Sequence, residues 1–384
     1  MSKELTRILD LDQFQMVMKA RLPRAVYTYA AAGSESEASL RANRAALDRW
    51  RLVTRVLAGV EKRDQHITLF NQRYASPFGI APMGGAALIA YQGTVEMARA
   101  ARAAAIPFIL SANTIIPLEE VVKANPDMWF AAYQSPEEEA IHGMVRRLRA
   151  ARVSVLVVTA DVPIGSNREE DVRHGFALPI RPNLRLGLDV ATHPGWVART
   201  FLPTLLRRGQ PHLVNLEPWG GPGLFSRKVK TVASHEGLNW SHIRLLRRLW
   251  EGMLVIKGIL SPADVALAKE AGADGVILSN HGGRQLDYAV APMDILEEAL
   301  DQAGPMPVML DGGFRRGTDI VKALALGAAA VFIGRPFLFA AAYAGERGVS
   351  HAIHLLRREL DKDMALLGTR RLEELAPAFL RKVA

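Results

Sequence analysis

No cysteine occurs among the 384 residues. That excludes disulfides, thiolate nucleophiles, cysteine-held iron–sulfur clusters and dithiol redox chemistry. Electron transfer, if the protein performs it, has to run through a bound cofactor. Nowhere do about 18 uncharged apolar residues follow one another, so no transmembrane helix is predicted. The opening stretch MSKELTRILDLDQF carries acidic residues where a signal peptide is apolar. The expected location is therefore the cytoplasm, or the inner membrane face for a peripheral protein. A basic stripe interleaved with aromatics is also missing. The net charge of +9 comes from 48 basic and 39 acidic residues, with the arginines scattered in short clusters such as RRLR and LLRR. Nucleic acid is not an expected partner, whereas an anionic substrate or lipid surface is compatible with this charge. No metal site is expected.

What is present is a regular punctuation of short apolar runs, in a chain 49% hydrophobic and 23% charged. FGIAP (78–82), PFILS (107–111), WFAAY (129–133) and VSVLVVTAD (153–161) come first. MLVIKG (253–258), DGVILSN (274–280), PVMLDGG (307–313) and AVFIGRP (330–336) follow. Runs of this length between turn signals suit strands buried on both faces. Most are separated by one helical segment, such as TVEMARAARAA or PEEEAIHGMVRRLRAA. Eight strands alternating with helices predict an α/β fold, a (β/α)8 TIM barrel. Residues 1–75 are read as an N-terminal helical extension, 76–345 as the barrel and 346–384 as C-terminal helices, all in one domain. A long excursion over 162–240, between strand four and helix four, is rich in Pro, Gly, Trp and Arg. Loops of that length are usually functional or disordered.

In such barrels chemistry sits at the C-terminal ends of the strands. The polar residues there are Ser111 with Asn113, Tyr133, Thr159 with Asp161, Lys257, Ser279 with His281, Asp311, and Gly334 with Arg335. DGGFRRG (311–317) and IGRP (333–336) end the last two strands, where barrels often bind phosphate through loop N–H groups. Lys257 becomes a fixed positive charge beside a phosphate-bearing cofactor, and suits the negative charge that develops on a reduced flavin. SNHGGRQLD (279–287) aims a histidine and an arginine from one flexible loop. Asp161 is the expected orienting carboxylate for His281 as a base. Arg284 and Arg168 present planar forks suited to a carboxylate. Tyr133 is placed to reach a substrate oxygen, while Tyr29 reads equally as an aromatic anchor of the N-terminal helices.

These residues resemble the FMN-dependent L-2-hydroxy acid oxidases and dehydrogenases, which include glycolate oxidase, lactate dehydrogenase and mandelate dehydrogenase. SNHGGRQLD matches that family's active-site signature. LPRAVYTY, LVVTADVP…NRE, LVIKGILS, LDGGFRRGTDIVKALALGA and IGRP match in order over nearly the whole chain. Residues 193–216, HPGWVARTFLPTLLRRGQPHLVNL, look most like the membrane-associated lactate and mandelate dehydrogenases. The resemblance implies FMN as cofactor, His281 as base paired with Asp161, and Arg284, Arg168 and Tyr29 on the substrate carboxylate. It places Tyr133 on the substrate 2-oxygen and Lys257 by the flavin N1–O2 edge. Ser111, Thr159 and Ser279 would bond the flavin, Asp311 its ribityl hydroxyls, and Gly313, Arg315, Gly334 and Arg335 its phosphate. It further implies a homotetramer.

Three departures stand out. APMG (81–84) replaces the family's usual APTA, but Pro82, Met83 and Gly84 can still serve the flavin by backbone. Ala131 stands where the family has a glutamine touching the ring, which implies a shifted potential or looser FMN. Asn113 and Gly165 replace bulkier residues, so a larger pocket is expected, for mandelate, lactate or longer-chain acids rather than glycolate. Trp196, Phe201, Leu202, Leu205, Leu206, Trp219 and Phe225, mixed with Arg199, Arg207 and Arg208, make 193–225 a candidate for peripheral membrane contact. That favours a quinone over oxygen as electron acceptor. A phosphate-binding barrel isomerase and a non-catalytic binding protein are the rival readings; neither needs His281 together with two arginines.

Overall fold

The computed structural model describes residues 4–176, 183–216, 221, 223, 226 and 235–383. Eight parallel strands form its centre: β1 (Phe78–Ile80), β2 (Ile109–Ser111), β3 (Trp129–Ala132), β4 (Val155–Thr159), β5 (Met253–Ile259), β6 (Gly275–Leu278), β7 (Val308–Asp311) and β8 (Ala330–Ile333). From β2 to β8 each pairs with its sequence neighbour, and β8 pairs back onto β1 through Val331 opposite Phe78. A bridge between Ile80 and Phe108 closes the ring between β1 and β2. The (β/α)8 barrel expected from the sequence is therefore present. Both faces of its strands are buried; all five residues of β4 are, which is why they read as continuous apolar runs.

Helices cover the outside. The helix Glu138–Ala150 starts with Glu138 and Glu139 and ends with Arg147 and Arg149, charges that oppose its dipole at each end. The helix after β8 breaks at Ala344–Gly345, where Gly345 has φ +59°, and a second helical piece continues to Leu367. The tail is not only helical as expected for 346–384. Leu380–Lys382 pairs antiparallel with Trp50–Leu52, tying the two terminal regions together.

The N-terminal extension does two jobs that its helical reading did not anticipate. A hairpin, Ile67–Leu69 with Gln72–Tyr74, turns through Phe70 and Asn71 at φ +51° and +60° and plugs the N-terminal end of the barrel. There Leu69 and Tyr74 join Trp129, Val155, Ile277, Met309 and Phe332 in an inner core. The helix Ala38–Asp48 instead lies over the loops after β6 and β7. Asn43 exchanges two hydrogen bonds with Asn280, at 2.8 and 2.7 Å, and Arg44 donates to Gly313 O at 2.7 Å.

The excursion is partly helical. Leu184–Ala191 is followed by Pro194–Trp196, a π turn over Val197–Phe201 and Leu202–Arg208. Asp189 accepts from the N–H groups of Arg24 and Ala25 at 3.0 and 3.1 Å, so this segment caps the second N-terminal helix, Arg24–Ala31. Trp219 and Phe225 lie outside the described residues. No helix among the described residues is long and apolar enough to cross a membrane, and no metal-binding cluster occurs among them.

Candidate active site

Side chains alternate along a strand, and this decides which residues enter the barrel. Trp129 and Ala131 of β3, Val155 and Val157 of β4, Val255 of β5, Ile277 of β6 and Met309 of β7 share the inner core. Two residues further on, the same phase gives Tyr133, Thr159, Lys257, Ser279 and Asp311. The polar residues predicted at the strand ends are thus the next inward layer.

Lys257 is the centre of that layer. Only 3% exposed, its ammonium donates to Ser279 Oγ at 2.7 Å and lies 2.9 Å from Asp311 Oδ2. Burial opposes its charge, but Asp311 and Asp161 outweigh burial and raise its pKa above the ordinary lysine value, so it stays cationic. Gly258, next along β5, has φ +104°, and a side chain there would lie 2.4 Å from Asp161. Sequence reasoning missed this glycine, although a Lys-Gly pair ending a buried strand was a signal for it.

His281 sits at φ +57°, strained for a residue with a side chain. Ser279 Oγ accepts from its backbone N–H at 3.0 Å. Its Nδ1 lies 3.0 Å from Asp161 Oδ1, and its Nε2 lies 3.4 Å from the Tyr133 hydroxyl. Burial works against the Asp161 charge, yet His281 and Lys257 together hold its carboxyl below the usual carboxylate range. An ionised partner fixes the imidazole tautomer with its proton on Nδ1 and leaves Nε2 as the basic nitrogen. Burial, then the Asp161 charge, pushes the Tyr133 phenol up, which keeps it a neutral donor.

Arg284 donates to Ala32 O at 2.8 Å, and its guanidinium lies over the Tyr29 ring at 5.3 Å. Arg168 is braced by Ser166 Oγ at 3.1 Å and Gln285 Oε1 at 3.3 Å. Burial and the adjacent Arg168 push Arg284 down to about 10. The two like charges repel, and an anion bound to both would relieve that repulsion. Among the described residues the carboxylate paired with Arg284 is Asp171, at 3.9 Å. Burial raises the pKa of Asp171 against the pull of both arginines, and one carboxylate cannot balance the charge of two guanidiniums. Asp171 and Gln285 were not singled out by sequence reasoning; both stand within or beside quoted motifs, where spacing gives no role.

Around β7 and β8, Gly313 has φ +87° and a side chain there would lie 2.7 Å from Asn43 O. Arg315 pairs with Asp12 at 3.1 Å. Arg335 donates to the carbonyls of Ala30, Gly282 and Ala32 at 3.1, 2.9 and 3.0 Å; burial, Arg284 and Arg315 push it down to about 9. Met83 lies beside Gly334, where an added Cβ would be 3.4 Å from its sulfur, and an added Cβ at Gly84 would be 3.1 Å from Asn113. Asn113 itself reaches the Tyr133 hydroxyl. Gly165 is exposed, and a side chain there would meet nothing within 4 Å among the described residues.

Comparison with known proteins fits this arrangement. The family model described as FMN-dependent dehydrogenase matches residues 18–382. The chain is 35% identical to (S)-mandelate dehydrogenase of Pseudomonas putida over 376 residues, covering 97% of this chain and 94% of that protein. It is 35% identical to an L-lactate dehydrogenase of Ectopseudomonas mendocina, covering 96% and 97%. A crystal structure of monotopic membrane protein (S)-mandelate dehydrogenase superposes with a TM-score of 0.91 at 35% identity, covering 98% of this chain and all of that one. The chain belongs to the FMN-dependent dehydrogenases, and its cofactor is FMN.

Proposed function

We propose that the protein oxidises an L-2-hydroxy acid larger than glycolate, of the mandelate, lactate or longer-chain kind, to the 2-keto acid. The observation that carries this reading is the Asp161–His281–Tyr133 chain beside two incompletely balanced arginines. The residues also fit the cofactor. Thr159 Oγ1 and Asp311 Oδ1 are buried without partners among the described residues, a cost that a polar ligand would relieve. Ser111, Thr159, Lys257 and Ser279, with backbone at Pro82, Met83 and Gly84, would hold the ring system, and Asp311 the ribityl chain. Gly313, Arg315, Gly334 and Arg335 would hold the phosphate. Bound FMN supplies the acceptor for two electrons.

Arg284 and Arg168 bind the substrate carboxylate and orient C2, with Tyr29 beside them. His281 Nε2 takes a proton, from C2 or from the hydroxyl, and Asp161 stabilises the resulting imidazolium. Tyr133 donates to the 2-oxygen. Asn113 and Gly165 leave room for the side chain. Under anaerobic conditions, L-mandelate, L-lactate or a longer L-2-hydroxy acid is expected to bleach the flavin of the purified holoenzyme; a flavin that none of them bleaches would refute the reading.

For the acceptor we favour a membrane quinone over oxygen, with peripheral contact through 193–225. In the helical stretch 194–208, Leu202, Leu205 and Leu206 are 45, 40 and 86% exposed and Arg207 is half-exposed, an apolar and basic face suited to anionic lipid. The relative of TM-score 0.91 is a monotopic membrane protein by its description. Co-sedimentation with anionic vesicles is expected, lost on Leu202→Ser/Leu206→Ser, and faster reoxidation of the reduced flavin by a quinone than by air. Rapid peroxide release without quinone would make it an oxidase instead. Light scattering of the holoenzyme is expected to give the mass of a homotetramer.

A further inference from the structure

The excursion brings one more ionisable side chain to the mouth of the barrel. His235 is 6% exposed. Its backbone N–H donates to Pro163 O at 2.7 Å, tying it to the loop after β4, two residues before Gly165. Its ring packs against the Tyr133 ring, with centroids 6.1 Å apart, and Tyr133 in turn faces the His281 ring at 6.4 Å. Neither ring nitrogen of His235 has a hydrogen-bond partner among the described residues. Burial lowers its pKa, so the ring is neutral, with one N–H donor and one bare nitrogen. A purely structural packing role does not explain this. Phenylalanine would fill the same space against Tyr133 without two unpaired polar atoms.

We propose that His235 is a specificity residue of the substrate pocket and hydrogen-bonds a hydroxyl on the side chain of the 2-hydroxy acid. The inference rests on the 2-hydroxy acid reading given above. A hydroxyl can accept from the imidazole N–H or donate to the bare nitrogen, so it pairs with either tautomer. A side-chain carboxylate would place a second negative charge against a neutral ring, and a plain hydrocarbon would leave both nitrogens unpaired. The Tyr133 hydroxyl is turned to His281 and does not serve. Pro163, whose carbonyl holds the His235 backbone, stands two residues before Gly165, an exposed position where the departure from a bulkier residue makes room for such a side chain.

The test uses the holoenzyme and matched pairs of L-2-hydroxy acids. One pair is 3-phenyllactate with 3-(4-hydroxyphenyl)lactate, the other 2-hydroxybutyrate with 2,4-dihydroxybutyrate. Anaerobic stopped-flow reduction gives a limiting rate and a Kd for each. The wild type is expected to favour the hydroxylated member of at least one pair by about tenfold or more in rate over Kd, the direction in which a site built for a hydrogen bond rejects an analogue lacking it. His235→Phe should remove that preference, lowering the rate over Kd of the hydroxylated member far more than that of the plain one, while His235→Gln should keep part of it. Absence of preference in the wild type, or its persistence in His235→Phe, overturns the proposal. Reduction by L-lactate or L-mandelate with none by any member of the pairs overturns it too. Failure of every acid is instead the failure of the reading on which it rests. Should His235→Phe not fold, nitrogen-15 NMR of the wild-type His235 ring decides. The hydroxylated 2-keto acid must shift its ring nitrogens and the plain one must not; equal effects sink the idea.

Discussion

The two ends of this barrel are built from the same eight strands and could hardly differ more. At the N-terminal end, Phe70 and Trp129 lie 5.4 Å apart, Trp129 and Phe332 likewise. The hydrogen bond there from Trp129 Nε1 to the Tyr74 hydroxyl is 3.1 Å long, and burial pushes that phenol up to about 12. At the C-terminal end, further along the same inward phase, stand Lys257, Asp311, Asp161, His281 and the arginines. The plug hairpin explains the difference. It excludes water from one end, where only apolar groups rest at low cost, while the other end opens to loops that can supply partners and admit ligands. Stability and chemistry are thereby separated along each strand.

The largest effect expected from breaking this division is at the open end. His281→Gln removes the basic nitrogen while keeping a polar side chain. General-base loss of this kind costs about 10²- to 10⁴-fold, here in the rate of anaerobic flavin reduction. The yellow colour and the melting temperature should hold. Unaltered reduction by this variant would remove His281 from the mechanism.

At the sealed end the consequence reverses. Trp129, fully buried between Phe70 and Phe332, should cost about 3–5 kcal/mol of stability on truncation to Ala, as large aromatics do. Urea midpoints would register that loss. Reduction rate per folded, flavin-loaded molecule should change little; a loss of rate matching that of His281→Gln would show that the two ends are coupled.

Lys257→Met lies between the two, since Lys257 is buried yet stands in the polar layer of the open end. Removing it leaves Asp311, 7% exposed, without its cation, and such one-sided loss of a buried pair costs about 3–5 kcal/mol. The expected result is a variant that loses flavin on dialysis and unfolds at a lower urea midpoint. Firm flavin retention would argue that Lys257 serves the fold alone.

How much of this was legible in the sequence follows from the same division. Strand periodicity exposes both the barrel and the inward phase, so Lys257, Asp311 and the 279–287 loop could be placed at the open end of the barrel from position alone. The contacts that join distant segments left no such trace. Asn43 meets Asn280 across 237 positions, and the carbonyls of Ala30 and Ala32 receive Arg335 and Arg284. Backbone acceptors carry no residue signature, so the first helices read as packing beside the barrel when their carbonyls also hold Arg284 and Arg335 in place. The hairpin turn at Phe70–Asn71 was short and lay among polar residues, and its role appears only once the barrel bottom needs a lid. The resemblance to a family supplied roles for side chains; it said nothing of His235, whose placement depends on how the excursion folds back.

The smallest expected effect sharpens the comparison at a carboxyl on the outer layer of the open end. Asp363 packs at the start of the helix after β7, where a side chain on Gly317 would lie 2.5 Å from its Oδ2, and that oxygen has no partner among the described residues. Burial, with Glu359 adding repulsion, raises its pKa from 3.8 to about 6. A carboxyl raised in the folded state binds its proton more tightly there than in the unfolded chain. Its contribution is therefore intact below about pH 4 and is lost as pH rises through 6. The full shift would be worth about 3 kcal/mol, but the group is partly open to solvent, which reduces it to about 1 kcal/mol. Asp363→Asn should accordingly stabilise the protein by that amount at pH 7.5 and by nothing at pH 4, read from urea midpoints, with flavin reduction untouched. A pH-independent gain would mean that the substituted amide has found a hydrogen bond that the carboxylate lacks, and that the unpaired oxygen, rather than the charge, is what this end of the molecule tolerates poorly.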